Sequence, residues 1–220
     1  TAVFEFVEAC MGLYSEKKLN PSDDIMTAWI EAESAGLKDG SNFGLDQIIS
    51  DCLLLLDGGA ETTRTVIARS MLNLSEDNEQ WQLLKDGADL DTAVEEFIRF
   101  VTPIHNMCRV ATEDYDIGGE TIKKGQQVLL MYSSANRDPS KFANPEKLDV
   151  TRSPNHHISF GFGTHFCLGA SLARLEIKIF FQQLRNRVHD FSIATQPVEM
   201  PNAFVYGLAS CPMFLEPTNA

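Results

Sequence analysis

The residues best suited to chemistry in this sequence form a glycine-rich, aromatic loop around one cysteine. Phe160-Gly161-Phe162-Gly163-Thr164-His165-Phe166-Cys167-Leu168-Gly169 delivers Cys167 onto the N-terminus of an apolar helix. Unpaired backbone N–H groups and the helix dipole at that end favour a thiolate. Gly161, Gly163 and Gly169 allow a sharp turn and the close approach of a flat group, while Phe160 and Phe166 flank the sulfur. A thiolate among N–H donors and aromatic rings is what an axial ligand to a haem iron requires. A cysteine alone beside a turn would read as a structural thiol, and it is the surrounding loop that points elsewhere. Zinc is the other metal to weigh, because His156, His157, His165 and Cys167 lie close together. Zinc sites usually show paired ligands such as C-x₂-C, and that spacing is missing here.

Three further groupings carry possible chemistry. Glu96 and Arg99 stand three residues apart, on one helix face, among Val94, Phe97, Ile98 and Phe100. Such a pair is either a surface ion pair of little consequence or, in so apolar a helix, part of a buried network. Gly58-Gly59-Ala60-Glu61-Thr62-Thr63 lies inside a helical pattern, where each glycine costs roughly 1 kcal/mol relative to Ala. The missing side chains would let dioxygen or a flat ligand reach the backbone beside an acid, Glu61, and a hydroxyl, Thr62, and a local break or π-bulge is expected there. The alternative is close helix packing with an exposed Glu. Arg109, in Cys108-Arg109-Val110, could bind a carboxylate in two-pronged fashion or be a surface strand residue.

The elements that must position these groups follow from periodicity. Apolar spacing predicts helices over residues 2–17, 23–34 (capped from Asn20-Pro21-Ser22-Asp23) and 45–74, another after Ser75-Glu76-Asp77, and one over Asp89–Phe100 stopped by Pro103. Gly36–Gly44 reads as a loop. Alternating runs at Asn106–Ala111, Tyr115–Ile117 and Gln127–Met131, with turns at Gly118-Gly119 and Lys124-Gly125, predict a small antiparallel sheet. Residues 137–164 read as an ordered irregular loop, followed by a helix from Cys167 to about Asn186 and a tail of short strands. The expected fold is mainly α with a small antiparallel β part.

Composition narrows the class. A net charge of −13 argues against nucleic acid and anionic membrane surfaces, and no apolar run is long enough to span a membrane. Five cysteines without a CxxC pair suit a reducing compartment, and no signal peptide is visible, so a cytoplasmic location is expected. The first residue, Thr1, suggests the middle of a longer protein. Between Ser153 and His189 the chain turns basic: Arg174, Lys178, Arg185 and Arg187 against a single acid, Glu176. Positions 174, 178 and 185 share a helix face, which is either a docking face for an acidic partner or a solvated surface.

The cysteine loop resembles that of the cytochromes P-450, Phe-x-x-Gly-x-x-x-Cys-x-Gly, matched at Phe160, Gly163, Cys167 and Gly169. The similarity runs through the chain in the family's order and implies the C-terminal half of the cytochrome P-450 fold, with the N-terminal half missing. It implies haem b (iron protoporphyrin IX), ligated by Cys167 and held at its propionates by His165 and Arg109. Glu61 and Thr62 would be the acid–alcohol pair that relays protons to dioxygen. Glu96 and Arg99 would form a structural network; Lys147 stands where many members have Arg, so Arg152 is expected as its third member. Ala60, Pro103, Ile104, Met107, Phe204 and Val205 would line the pocket. The implied activity is hydroxylation of an apolar small molecule by dioxygen, with electrons from an acidic ferredoxin and its reductase. Asn106–Val110, Ser134–Asp138 and Phe162–Cys167 look most like actinobacterial steroid side-chain hydroxylases. The competing expectation is a truncated, haem-free chain that at most binds a partner.

Overall fold

The computed structural model describes residues 2–36 and 43–218, so residues 37–42 of the loop expected at Gly36–Gly44 fall outside it. The chain forms two compact units, Thr1–Ala60 and Glu61–Ala220.

The first unit holds α1 (Ala2–Leu19), α2 (Ile25–Ala35) and the start of α3 (Leu45–Glu76). Met26, Ile30 and Ile48 are its buried centre, with Tyr14, Trp29, Phe43 and Cys52 packed around them. The cap of α2 is Asp24, just past the expected tetrapeptide: its carboxylate accepts the Thr27 N–H at 2.9 Å. Ser22 Oγ (2.6 Å) and Lys17 Nζ (2.9 Å) hold that carboxylate in place. Helix α3 shows no break at Gly58-Gly59, correcting the expected interruption; residues 45–76 are helical throughout. Two glycines weaken a helix by a couple of kcal/mol, and the many hydrogen bonds of so long a helix carry it through.

The second unit continues α3 and adds α4 (Asn78–Lys85), α5 (Leu90–Val101), α6 (Tyr132–Ala135) and α7 (Ala170–Arg187). Asp77 caps α4 without a side-chain bond, whereas Asp89 caps α5 by accepting the Thr92 N–H at 2.8 Å. Leu90, Ala93, Val94, Phe97, Ile98 and Val101 recur at helical spacing on α5 and are buried. They meet Ile177, Phe181 and Leu184 of α7, with the Phe97 and Phe181 rings 4.4 Å apart. Thr102, left-handed at φ 45, ends α5 directly before Pro103, and its hydroxyl bonds the Arg99 carbonyl at 2.6 Å.

The small sheet expected over residues 106–131 is two separate antiparallel pairs, and the strands of the tail form two more. They join β1 (Asn106–Val110) to β4 (Gln127–Met131), β2 (Tyr115–Ile117) to β3 (Glu120–Ile122), β5 (Val188–Ile193) to β8 (Met213–Pro217), and β6 (Val198–Glu199) to β7 (Leu208–Ser210). Local alternation identifies a strand but says nothing about how many hairpins share one sheet. Among the described residues no helix is long and apolar enough to cross a membrane.

Candidate functional site

Helix α5 is the scaffold of the site. Glu96 and Arg99 both have fully buried side chains, paired through Arg99 Nε to Glu96 Oε2 and Arg99 Nη2 to Glu96 Oε1, each at 2.8 Å. Arg152 Nε joins at 3.0 Å, as do Asn155 Nδ2 and the Asp149 backbone N–H. Arg99 also donates to the carbonyls of Asn136 (2.8 Å), Pro145 (3.0 Å) and Lys147 (3.4 Å), while Arg152 Nη1 reaches Ala143 O at 2.8 Å. Lys147 thus contributes its carbonyl. The irregular loop has no ladder of its own, and these two guanidinium groups satisfy its carbonyls instead.

The segment leading to Cys167 is tied to the same helix both directly and through Asn136, which follows α6. Ile158 N–H bonds Asn136 Oδ1 at 2.9 Å; Ser159 Oγ donates to Ile98 O at 2.9 Å and accepts from Asn136 Nδ2 at 2.8 Å. Ser159 N–H reaches His157 Nδ1 at 3.3 Å, leaving Nε2 to carry the proton toward Glu95 Oε2 at 3.0 Å. Glu95 also takes two bonds from Arg174, Nε at 2.5 Å and Nη2 at 2.9 Å. Burial works against a charge on Glu95, but the bonds from His157 and Arg174 outweigh it and bring the carboxyl down to about 2. Arg174 is held more firmly protonated, first by its bonds to Glu95, against burial, with the charges of Glu95 and Cys167 adding. Its guanidinium lies 4.5 Å from the centre of the Phe160 ring.

The cysteine loop then turns at Gly161 (φ 71) and Gly163 (φ 74), left-handed positions that suit glycine. Cys167 N–H closes the loop on Phe160 O at 2.9 Å. The expected helix start moves: Cys167 precedes α7, its carbonyl accepting the Ala170 N–H at 3.3 Å, and Gly169 is the cap. The Cys167–Ala170 turn intervenes because Phe166 is extended (φ −56, ψ 137). Cys167 is exposed, beside exposed Phe162 (91%), Phe166 and Leu168 (83%). His165 is exposed on a single 3-10 turn, Gly163–His165. Arg109 is exposed on β1 with Nη1 on Cys108 O at 2.9 Å.

The basic stripe of α7 is not an open patch. Arg174 faces Glu95, Lys178 Nζ bonds Asp91 at 2.7 Å, and Arg185 Nη1 points to Ala88 O at 3.5 Å. Positions 174, 178 and 185 share a face, as spacing requires, and that face meets the acids of α5 and the segment before it. Of the four, only Arg187 is exposed; the others are half-buried.

On α3, Glu61 is bound by Arg64 Nη2 at 2.6 and 2.7 Å, next to half-buried Thr62. The expected lining segments of the second unit form one bridged strip: Ile104 pairs with Val205, His105 N–H bonds Phe204 O and Tyr206 N–H bonds Pro103 O, both at 2.9 Å. Met107 is half-buried on β1, and Ala60 is exposed on α3 in the first unit. Beneath the strip, buried Arg69 donates to Tyr206 O (2.7 Å), Gly207 O (3.1 Å) and the Glu199 carboxylate, and stacks 3.3 Å from the Tyr206 ring. Residues unforeseen from sequence are Glu95, Asn136, Asn155, His157 and Arg69. The adjacent acids Glu95-Glu96 in an apolar helix were the one visible sign.

Residues 76–212 match the family model described as Cytochrome P450. The steroid C26-monooxygenase of Mycobacterium tuberculosis (strain CDC 1551 / Oshkosh) is 37% identical over 206 residues, 92% of this chain and 54% of that protein. The polyketide biosynthesis cytochrome P450 PksS of Bacillus subtilis (strain 168) is 39% identical over 219 residues, 97% of this chain and 53% of that protein. The solved structure of P450BioI in complex with hexadec-9Z-enoic acid ligated acyl carrier protein superposes with a TM-score of 0.88 at 37% identity, covering 97% of this chain and 54% of that one. This chain spans about half the length of the curated relatives it matches.

Proposed function

This chain belongs to the cytochrome P450 family, and we propose that it is the haem-binding, C-terminal part of a haem-thiolate monooxygenase acting on an apolar small molecule. The observation that carries this reading is the state of Cys167. Cys167 is exposed on a glycine turn, its backbone N–H is closed on Phe160 O, and its loop carries the exposed apolar side chains Phe162, Phe166 and Leu168. Those residues would suit a flat, apolar group held through one soft sulfur donor. They do not resemble a bare metal ion's site, since among the described residues no three His, Cys, Asp or Glu side chains gather.

In this reading Cys167 would hold the iron of haem b, and His165 and Arg109 would hold its propionates. Haem, when bound, supplies the activation of dioxygen and the transfer of one oxygen atom to a C–H bond. Glu61 and Thr62 hold a carboxylate and a hydroxyl side by side on α3; for Glu61 to pass a proton inward it must exchange its contact with Arg64. Glu96, Arg99 and Arg152 fix the scaffold. Pro103, Ile104, Met107, Phe204 and Val205 of the second unit would face the substrate, for which a steroid side chain is the first compound to try, given the mycobacterial relative. The polyketide and fatty-acyl relatives define the next two. An acidic ferredoxin with its reductase is the proposed electron donor, in a cytoplasmic setting. Because Arg174 and Lys178 are already paired, its docking would rely less on them than a free stripe suggests.

A second reading, a haem-free chain with at most a binding role, is favoured by the extent of uncovered apolar surface, from Leu53–Leu56 to Leu168 and Leu172. Hemin titration decides between them. The first reading expects a red protein whose reduced carbon monoxide complex shows the thiolate-type band; a chain that stays colourless after hemin addition establishes the second.

A further inference from the structure

Two adjacent carboxylates on α5 divide the work of holding the site. Glu96 gathers the irregular loop through Arg99, Arg152, Asn155 and the Asp149 N–H. Its neighbour Glu95 points about 100° further round the helix and gathers different groups. We propose that Glu95 is a positioning residue for the Cys167 loop, acting through His157 and Arg174 on Phe160.

The chain of contact is continuous. Glu95 accepts from His157 Nε2 at 3.0 Å and from two nitrogens of Arg174. Arg174 lies over the Phe160 ring at 4.5 Å, and the His157 ring centre is 5.9 Å from that ring's centre. Phe160 also packs on the hydrophobic core, and its carbonyl accepts the Cys167 N–H. A ring held by a cation, an imidazole and the core has little freedom, and the hydrogen bond to Cys167 passes that restriction to the sulfur's own backbone. The planar guanidinium matters, because a lysine at 174 could pair with Glu95 but could not stack as well.

Hydrogen–deuterium exchange on the 220-residue chain, read by peptide mass spectrometry, tests this without haem. Glu95→Ala should speed exchange of the Gly161, Phe166 and Cys167 amides by roughly tenfold, the loss of charge-assisted bonds, and leave Arg152 and Asp149 amides protected. Glu95→Gln, which keeps an acceptor for His157, should give a smaller change, and Arg174→Lys should loosen the same loop. Unchanged loop exchange in Glu95→Ala, or equal acceleration across 143–155, overturns the proposal; should Glu95→Ala not fold, Glu95→Gln and Arg174→Lys decide by the same criterion.

The second arm rests on the haem reading and uses hemin-loaded chain. Glu95→Ala should move part of the carbon monoxide complex from the thiolate-type to the thiol-type band and shift the reduction potential. A loaded Glu95→Ala with wild-type band and potential also overturns the proposal. Failure of the wild type to take up haem would instead count against the ligand role of Cys167, with the exchange arm still deciding on Glu95.

Discussion

Replacing Glu96 by alanine should be among the most damaging single changes in this chain. The carboxylate accepts five hydrogen bonds, from Arg99 Nε and Nη2, Arg152 Nε, Asn155 Nδ2 and the Asp149 N–H. Removing it strands the Arg99 guanidinium, fully buried, with only backbone carbonyls as partners. Leaving one member of a buried ion pair uncompensated costs about 3–5 kcal/mol. Against a typical stability of about 5–15 kcal/mol, that removes about a fifth of the total at the least. With a urea dependence of about 1–3 kcal/mol/M, the midpoint should fall on the order of 2 M. Glu96→Gln keeps an acceptor oxygen but loses the charge, and should fall between, by about 1.5–3 kcal/mol. Urea unfolding followed by far-UV circular dichroism, with Glu61→Ala as a control of similar chemistry on a more accessible helix face, makes the measurement. A Glu96→Ala midpoint within error of wild type would refute the argument that this network is buried and paired.

Three other outcomes are expected. Glu95 is depressed from an ordinary 4.5 to about 2, so the stability it lends is fully present above pH 4.5 and lost as pH falls toward 2; the difference in stability between wild type and Glu95→Gln should close across that window, and a gap that stays constant contradicts the pairing with His157 and Arg174. Gly161→Ala should destabilise by about 1–2 kcal/mol in thermal unfolding, because alanine would be left-handed at φ 71 with its Cβ 3.4 Å from Tyr132 Oη. Arg174→Glu should lower the melting temperature by placing like charges against Glu95, whereas Arg187→Glu should leave it unchanged; equal melting of the two would mean that the α7 stripe is free after all.

The parts of the fold legible in the sequence are those set by local rules. Apolar spacing on α5 and the cap Asp89 place that helix to within a residue, and alternation followed by Gly118-Gly119 locates β2 and its turn, though not its partner β3. Glu96 and Arg99 lie a helical turn apart, so spacing alone sets them on one face, whereas Arg152 was implied only by the family resemblance; its Nε lies 3.0 Å from Glu96 Oε2. What depends on distant partners was not legible. Nothing in the spacing of Arg174 and Lys178 says that Glu95 and Asp91, some 80 residues earlier, lie opposite. His157 looked like one of several histidines near a cysteine until its Nε2 was placed on Glu95. The start of α7 was misjudged because Cys167, Leu168 and Gly169 suit a helix as well as the turn they form. Gly58-Gly59 suggested a break by propensity alone, and α3 overrides it.

The most direct test of the central claim is the reduced carbon monoxide spectrum of hemin-loaded chain in a cysteine series: Cys167→Ala and Cys167→His against Cys10→Ala and Cys211→Ala. Cys10 is buried, and burial pushes the Cys211 thiol up, whereas Cys167 is exposed on its loop. The account predicts a thiolate-type band in the wild type and in the Cys10 and Cys211 variants, and its complete loss in both Cys167 variants. A thiolate-type band that survives in Cys167→Ala would contradict it.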